Sequence, residues 1–252
     1  MSTIFNVVTK IVKFIVARAL NHRQFRDLIS ELDSDCGDLK LHNNVRWLSR
    51  GAVLQRFCEC LPTIRAFLVE KDAAYKELDD TVWLCKLYFL ADVTQHLNSL
   101  NVLLQGKGQL VSSLFEEVRV FQTKLSHFKK DIDNGKFTYF KTLKAYLQQN
   151  VDVLVPSECM LEVIQSLKGN FEQRFGSLTQ HRAAFQFTTD PLTIESQEDI
   201  SEALRWLCGD SFDEELLDLR ERDLWKAKFF NLAKDLEHIY REKDRLSVAK
   251  QW

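Results

Sequence analysis

DTVWLCKLYFLADVTQHLNSLNVLLQGKG, residues 80–108, is the stretch whose reading decides the fold. Trp83, Leu87, Leu90, Val93, Leu97, Leu100 and Leu104 recur three or four positions apart, the rhythm of a helix with one face in a core. Asp80 stands where an N-cap carboxylate meets the open N–H groups of the first turn. Gly106-Lys107-Gly108 ends the run. A phosphate cradle is the sharper reading of that tripeptide, but no strand precedes it and the Walker spacing is missing, so it reads as a helix C-cap. Beyond it, Leu110, Leu114, Val118, Phe121, Leu125, Phe128 and Ile132 keep the same rhythm. Two long helices on so short a link are expected to pack antiparallel. With each buried Leu or Phe contributing roughly 1.5–3 kcal/mol, this hairpin is the expected domain centre.

Working outward toward the N-terminus, residues 72–79 read as a polar connection. Before them Ile64, Ala66, Phe67 and Leu68 form a helix that Pro62 opens or bends. A helix with Val53, Leu54, Phe57 and Leu61 precedes that one. Its entry, Leu41-His42-Asn43-Asn44-Val45-Arg46-Trp47-Leu48-Ser49-Arg50-Gly51, reads as a short extended segment ending at Ser49 as an N-cap. Trp47 then pins the connection into the core and Arg46 is solvated. Residues 33–38 make an acidic, glycine-containing turn that lacks EF-hand spacing and a closing Glu. Residues 3–20 repeat apolar side chains at helical spacing despite many β-branched residues, with Asn21 and His22 as the interruption before a second helix through Leu32.

Working toward the C-terminus, residues 157–185 read as one long helix, and Phe185 to Leu192 alternates like a short strand. Residues 195–206 and 213–246 return to helix, the latter with alternating charges. Lys124, Lys129, Lys130, Lys136, Lys141 and Lys144 interleave with Phe137, Tyr139, Phe140 and Tyr146. Single-strand DNA binders mix lysines and aromatics in this way, and so does an amphipathic helix with a solvated lysine face.

Composition sets the limits. The chain has 252 residues, 45% hydrophobic and 28% charged, enough for one large or two small domains. Only 3 Pro and 8 Gly favour long uninterrupted helices. A net charge of −2 supplies no global pull toward nucleic acid or anionic membrane, so any DNA contact must be a local patch. The six cysteines, at 36, 58, 60, 85, 159 and 208, form no Cys-x-x-Cys pair. Cys58 and Cys60 would point about 200° apart on a helix, so buried free thiols in a reducing compartment are expected. The start lacks a signal peptide, and no apolar run approaches the ~18 residues of a membrane span, so a soluble intracellular protein is expected.

Several runs together resemble a known family. They are Ala19-Leu20-Asn21-His22-Arg23-Gln24-Phe25, Glu31-Leu32-Asp33-Ser34, Val45-Arg46-Trp47-Leu48-Ser49-Arg50-Gly51, Leu90-Ala91-Asp92-Val93-Thr94, His96-Leu97-Asn98-Ser99-Leu100-Asn101 and Phe121-Gln122-Thr123-Lys124-Leu125. In order and spacing these resemble domesticated transposases of the hAT superfamily, Charlie type. The resemblance implies a mainly α fold of long antiparallel helices, the helical insertion domain of a hAT transposase. It also implies a remnant of a ribonuclease H-like core, with one or two short strands at most. On that basis residues 1–40 adjoin the core, 41–185 form the insertion-type domain, and 186–252 carry a core-remnant strand and C-terminal helices.

Members of the superfamily use three acidic metal ligands for strand transfer. The likeness places the first two before the start of this chain, and the third cannot be placed, so no catalytic residue, metal or cofactor is expected. In active relatives the tryptophan of the Arg-Trp pair stacks on bases of hairpinned DNA. Carried over, Trp47 would stack and Arg46 would meet the phosphate backbone, with Arg50, Lys124, Lys129 and Lys130 completing a tentative DNA-binding set. The expected function is a catalytically inactive, transposase-derived module serving as a protein-interaction platform in the nucleus. The alternatives are a residual DNA-binding domain or a non-functional mobile-element fragment. The partners implied are nuclear proteins or DNA held weakly by a local patch, with no membrane. Oligomeric state is left open.

Overall fold

The computed structural model describes residues 2–32, 39, 47–105, 111–192, 200, 204, 209, 211–232, 234, 235 and 238. In chain order its helices are α1 (Ser2–Val16), α2 (Ala19–Glu31), α3 (Trp47–Glu59), α4 (Leu61–Glu70), α5 (Thr81–Leu104), α6 (Val111–Asp133), α7 (Lys141–Gln149), α8 (Ser157–Phe175), α9 (Arg182–Thr189) and α10 (Phe212–Glu221). Short 3-10 turns cover Lys76–Leu78 and Gly176–His181, and no strand occurs among the described residues. The helices group into two units: residues 1–104 with 120–170, and residues 105–119 with 171–252. No helix among the described residues is long and apolar enough to cross a membrane.

In the first unit α1 buries Ile4, Val8, Ile11, Val12 and Ile15. Valine and isoleucine disfavour helix only slightly, and the apolar face repays that cost on packing. The break after α1 falls at Ala17 and Arg18, earlier than the expected Asn21 and His22. Arg18 is extended, at φ −105° and ψ 115°. Asn21 is helical and buried, and its Nδ2 donates to the Phe14 carbonyl at 2.9 Å. A carbonyl left open by the end of α1 is thereby satisfied by α2. Asn21 is the joint rather than the break.

α3 starts at Trp47, so Ser49 sits inside the first turn and is not the N-cap that its sequence suggested. The extended segment expected at 41–46 lies outside the described residues. α4 carries Pro62 in its first turn, where a missing N–H costs nothing. α5 is capped as expected: Asp80 Oδ1 accepts from Val82 N at 2.9 Å and Trp83 N at 3.2 Å. The burial of α5 differs from a single stripe. Leu84, Cys85, Leu87, Phe89, Leu90, Ala91, Asp92, Val93 and Thr94 are all buried, leaving little polar face in that stretch. Such a helix belongs at a centre, and its closest packing is against α3 and α7. The expected α5–α6 hairpin is therefore not the core of the unit; α6 meets α5 through large side chains, with the His96 and Phe128 rings 4.6 Å apart.

The second unit corrects two further expectations. The helix expected over 157–185 stops at Phe175 and gives way to the 3-10 turn. The segment expected to be a strand, from Phe185, is helical through Thr189. Ala183, Ala184 and Phe187 pack against the buried Ile200, Leu204, Phe212 and Leu216. That helical spacing, not the local alternation of Phe185 and Phe187, decides the conformation. Asp190 closes the helix, its Oδ1 accepting from Leu192 N at 3.0 Å.

Cys58, Cys60 and Cys85 are buried free thiols and Cys159 is half-buried. Burial pushes the Cys58 thiol well up and that of Cys85 to about 11, which keeps both protonated and unreactive. Cys36 and Cys208 lie outside the described residues.

Candidate functional site

The expected DNA-binding set divides on the fold. Arg46 lies outside the described residues. Trp47 and Arg50 are in the first turn of α3. Lys124, Lys129 and Lys130 lie along α6 and are exposed. At about 100° per residue, Lys129 and Lys130 point about 140° and 240° around the helix from Lys124. Phe121, Leu125, Phe128 and Ile132 occupy the arc between Lys124 and Lys129 and are buried. The lysines thus fan around the helix instead of forming one stripe. Lys129 is also engaged, its Nζ 2.8 Å from Asp133 Oδ2 on the next turn. Of the Arg-Trp run, Gly51 has the clearest structural reason. A Cβ there would fall 2.4 Å from Asn98 Nδ2 and 3.3 Å from Thr94 Cβ, so the absence of a side chain lets α3 seat on α5.

Sequence reasoning missed a polar junction beside these lysines. Asp92 is buried in the middle of α5. Its carboxylate accepts from Thr142 N at 3.1 Å, Thr142 Oγ1 at 2.6 Å and Leu143 N at 3.0 Å. The two backbone donors are open N–H groups of the first turn of α7, whose own N-cap residue, Phe140, offers no side-chain bond. Asp92 is therefore an N-cap supplied from another helix. Its burial raises the carboxyl above the ordinary aspartate range, and the donated bonds act against that rise.

The loop between α6 and α7 is fixed from three more directions. Asp131 accepts from Tyr139 N at 3.0 Å. His96 Nε2 lies 2.8 Å from the Tyr139 carbonyl oxygen, which can only accept, so Nε2 carries the proton. At the end of α6, Gly135 N donates to Ile132 O at 2.9 Å and Lys136 N to Asp131 O at 3.1 Å. Gly135 has φ +64°, and the two bonds together make a Schellman termination. Phe128, Phe140 and Phe89 pack behind the junction, with Phe128–Phe140 and Phe89–Phe140 centroids at 5.5 and 5.0 Å.

The acids are committed to architecture. Among the described residues no three His, Cys, Asp or Glu side chains are arranged to hold a metal ion. Open clefts are found elsewhere. In the first unit, Arg65, Leu68, Val69, Ala73, Tyr75 and Leu78 line a groove of about 570 Å³. Arg65 donates to the Leu78 carbonyl across it, and Lys10 Nζ sits 5.7 Å from the Tyr75 ring. In the second unit, a pocket of about 380 Å³ is lined by Phe187, Phe212, Glu215, Asp218 and Trp225 together with Leu216 and Leu219.

Comparison with known proteins places this architecture. The family profile described as the FAM200/GTF2IRD2 helical domain matches residues 1–133. General transcription factor II-I repeat domain-containing protein 2 of Bos taurus is 32% identical over 231 residues, covering 91% of this chain. Its Mus musculus counterpart is 33% identical over 209 residues, covering 79%. The chain spans only 23% and 22% of their respective lengths. No solved structure matches.

Proposed function

From the premise that the chain belongs to the FAM200/GTF2IRD2-like helical-domain family, we propose that it is a transposase-derived, catalytically inactive module that binds other proteins in the nucleus. One observation carries this reading. The two buried carboxylates among the described residues, Asp92 and Asp131, spend their oxygens on backbone N–H groups of one helix junction. Two-metal strand transfer needs carboxylates that converge on metal ions, whereas these converge on a loop. The hAT, Charlie-type ancestry and the remnant of a ribonuclease H-like core belong to this proposal and rest on the sequence likeness. The nuclear setting rests on the relatives' names as transcription-factor repeat proteins.

The test is a nicking assay on supercoiled plasmid with Mg²⁺ or Mn²⁺ as the added ion. The expected result is a plasmid no more nicked than in the protein-free control. Metal-dependent nicking that disappears when a single carboxylate is changed to its amide would overturn the inactive-module reading. The DNA-binding alternative draws on the exposed Lys124 and Lys130 and on the position of Trp47 and Arg50 at the start of α3. It is weakened by the pairing of Lys129 with Asp133 and by the angular spread of the three lysines.

A further inference from the structure

We propose that the pocket of the second unit is an aromatic cage for the cationic end of a partner's lysine side chain, best filled by a methylated ammonium. The rings come from two elements. Phe187 of α9 and Phe212 at the start of α10 meet edge to face, with centroids 5.7 Å apart and planes at 71°. Trp225, 43% exposed, forms the rim just beyond α10. The polar groups lining the pocket are two carboxylates, Glu215 and Asp218, and no basic side chain lines it. A volume of about 380 Å³ is ample for one side-chain terminus.

Ring faces carry negative potential and attract a cation within about 6 Å of their centroids, the more so once water is displaced. Carboxylates at the rim add charge of the same sign, so an anion is repelled and a neutral apolar group forgoes the electrostatic part. Lys228 Nζ, three residues along, rests 4.5 Å from the centroid of the Trp225 ring, a local cation–π contact outside the pocket lining. Asp218 is partly neutralised, with Arg222 Nη2 at 2.8 Å from its Oδ2. Glu215 accepts from Ser211 Oγ at 2.9 Å, a neutral partner that leaves its charge in place. Asp213, Glu214 and Glu215 together make the first turn of α10 acidic, which complements a basic segment around the captured lysine.

This inference rests on the interaction-module reading only for the protein origin of the cation. The experiment is calorimetric titration of the full chain with a short basic peptide carrying trimethyl-lysine, alongside the same peptide with acetyl-lysine. Saturable binding of the trimethyl-lysine peptide alone is expected. Trp225→Ala should weaken it roughly tenfold and Trp225→Phe less. Glu215→Gln should weaken it and flatten its salt dependence. Equal affinity for the two peptides, no binding at millimolar peptide, or unchanged affinity in Trp225→Ala would overturn the proposal. Trp225 and Glu215 are exposed, so thermal unfolding of each variant near that of the native chain separates lost binding from lost fold. A failed titration leaves the nicking result untouched, and metal-dependent nicking leaves the titration standing.

Discussion

Gly51 shows how much one absent side chain decides. It closes the Arg-Trp run and lies inside α3, where glycine costs about 1 kcal/mol of helix propensity relative to alanine. A methyl group there would nevertheless press on the Asn98 amide and lie 3.3 Å from Thr94 Cβ, so the Asn98 side chain would have to shift. Gly51→Ala is expected to lower stability by about 1–2 kcal/mol net, because overpacking exceeds the propensity gained. Chemical denaturation reads this directly. The same substitution in an Asn98→Ala background should cost clearly less, since the nearest obstructing atoms are then gone. If Gly51→Ala stabilises the native chain, close seating of α3 on α5 is wrong. The sequence displayed this glycine only as the end of a motif. Its reason lies 47 positions away at Asn98, which no local pattern reports.

At the scale of elements, the same distinction separates what was legible from what was not. The cap of α5 could be read, because Asp80 serves N–H groups two and three residues ahead. The cap of α7 could not, because Asp92 serves N–H groups 50 and 51 residues ahead. Asp92 stands within an apolar run whose sequence shows no partner for it. Similarly, a two-residue alternation around Phe185 imitates a strand, and only the cluster with Phe212 and Leu216 shows that the period is helical. Asp92→Asn leaves one acceptor oxygen for three donors and is expected to cost about 2–3 kcal/mol.

That cost should depend on pH in a definite direction. The folded carboxyl of Asp92 is raised above the ordinary aspartate range by burial. A raised carboxyl binds its proton more tightly in the native than in the unfolded chain. Its contribution is therefore complete below the unfolded value and declines as pH rises through the folded one. The stability gap between native chain and Asp92→Asn, followed by urea unfolding from pH 4 upward, should shrink and then level. A gap that widens with rising pH would show that the three donated bonds outweigh burial.

For the whole molecule, the deciding quantity is whether its cations act together on DNA. A net charge of −2 provides no field to gather a polyanion. The Arg-Trp run and the α6 lysines were visible in the sequence, but their disposition was not: helical geometry alone spreads Lys124, Lys129 and Lys130 apart, and Asp133 already holds one of them. Fluorescence anisotropy with hairpin-ended and blunt DNA across a salt series tests the outcome. The expected binding is no tighter than the ~10⁻⁴–10⁻⁶ M of non-specific contacts, equal for both ends. Lys129→Ala should change it little, because that ammonium is neutralised within the helix, whereas Lys124→Ala and Lys130→Ala should each reduce the salt slope by at most about one unit. Trp47→Ala is the sharper comparison. Hairpin preference at physiological salt that vanishes in Trp47→Ala would mean that the start of α3 retains a base-stacking contact, and the DNA-binding reading would replace the interaction module. Identical curves for the two proteins would count against a base-stacking contact at Trp47.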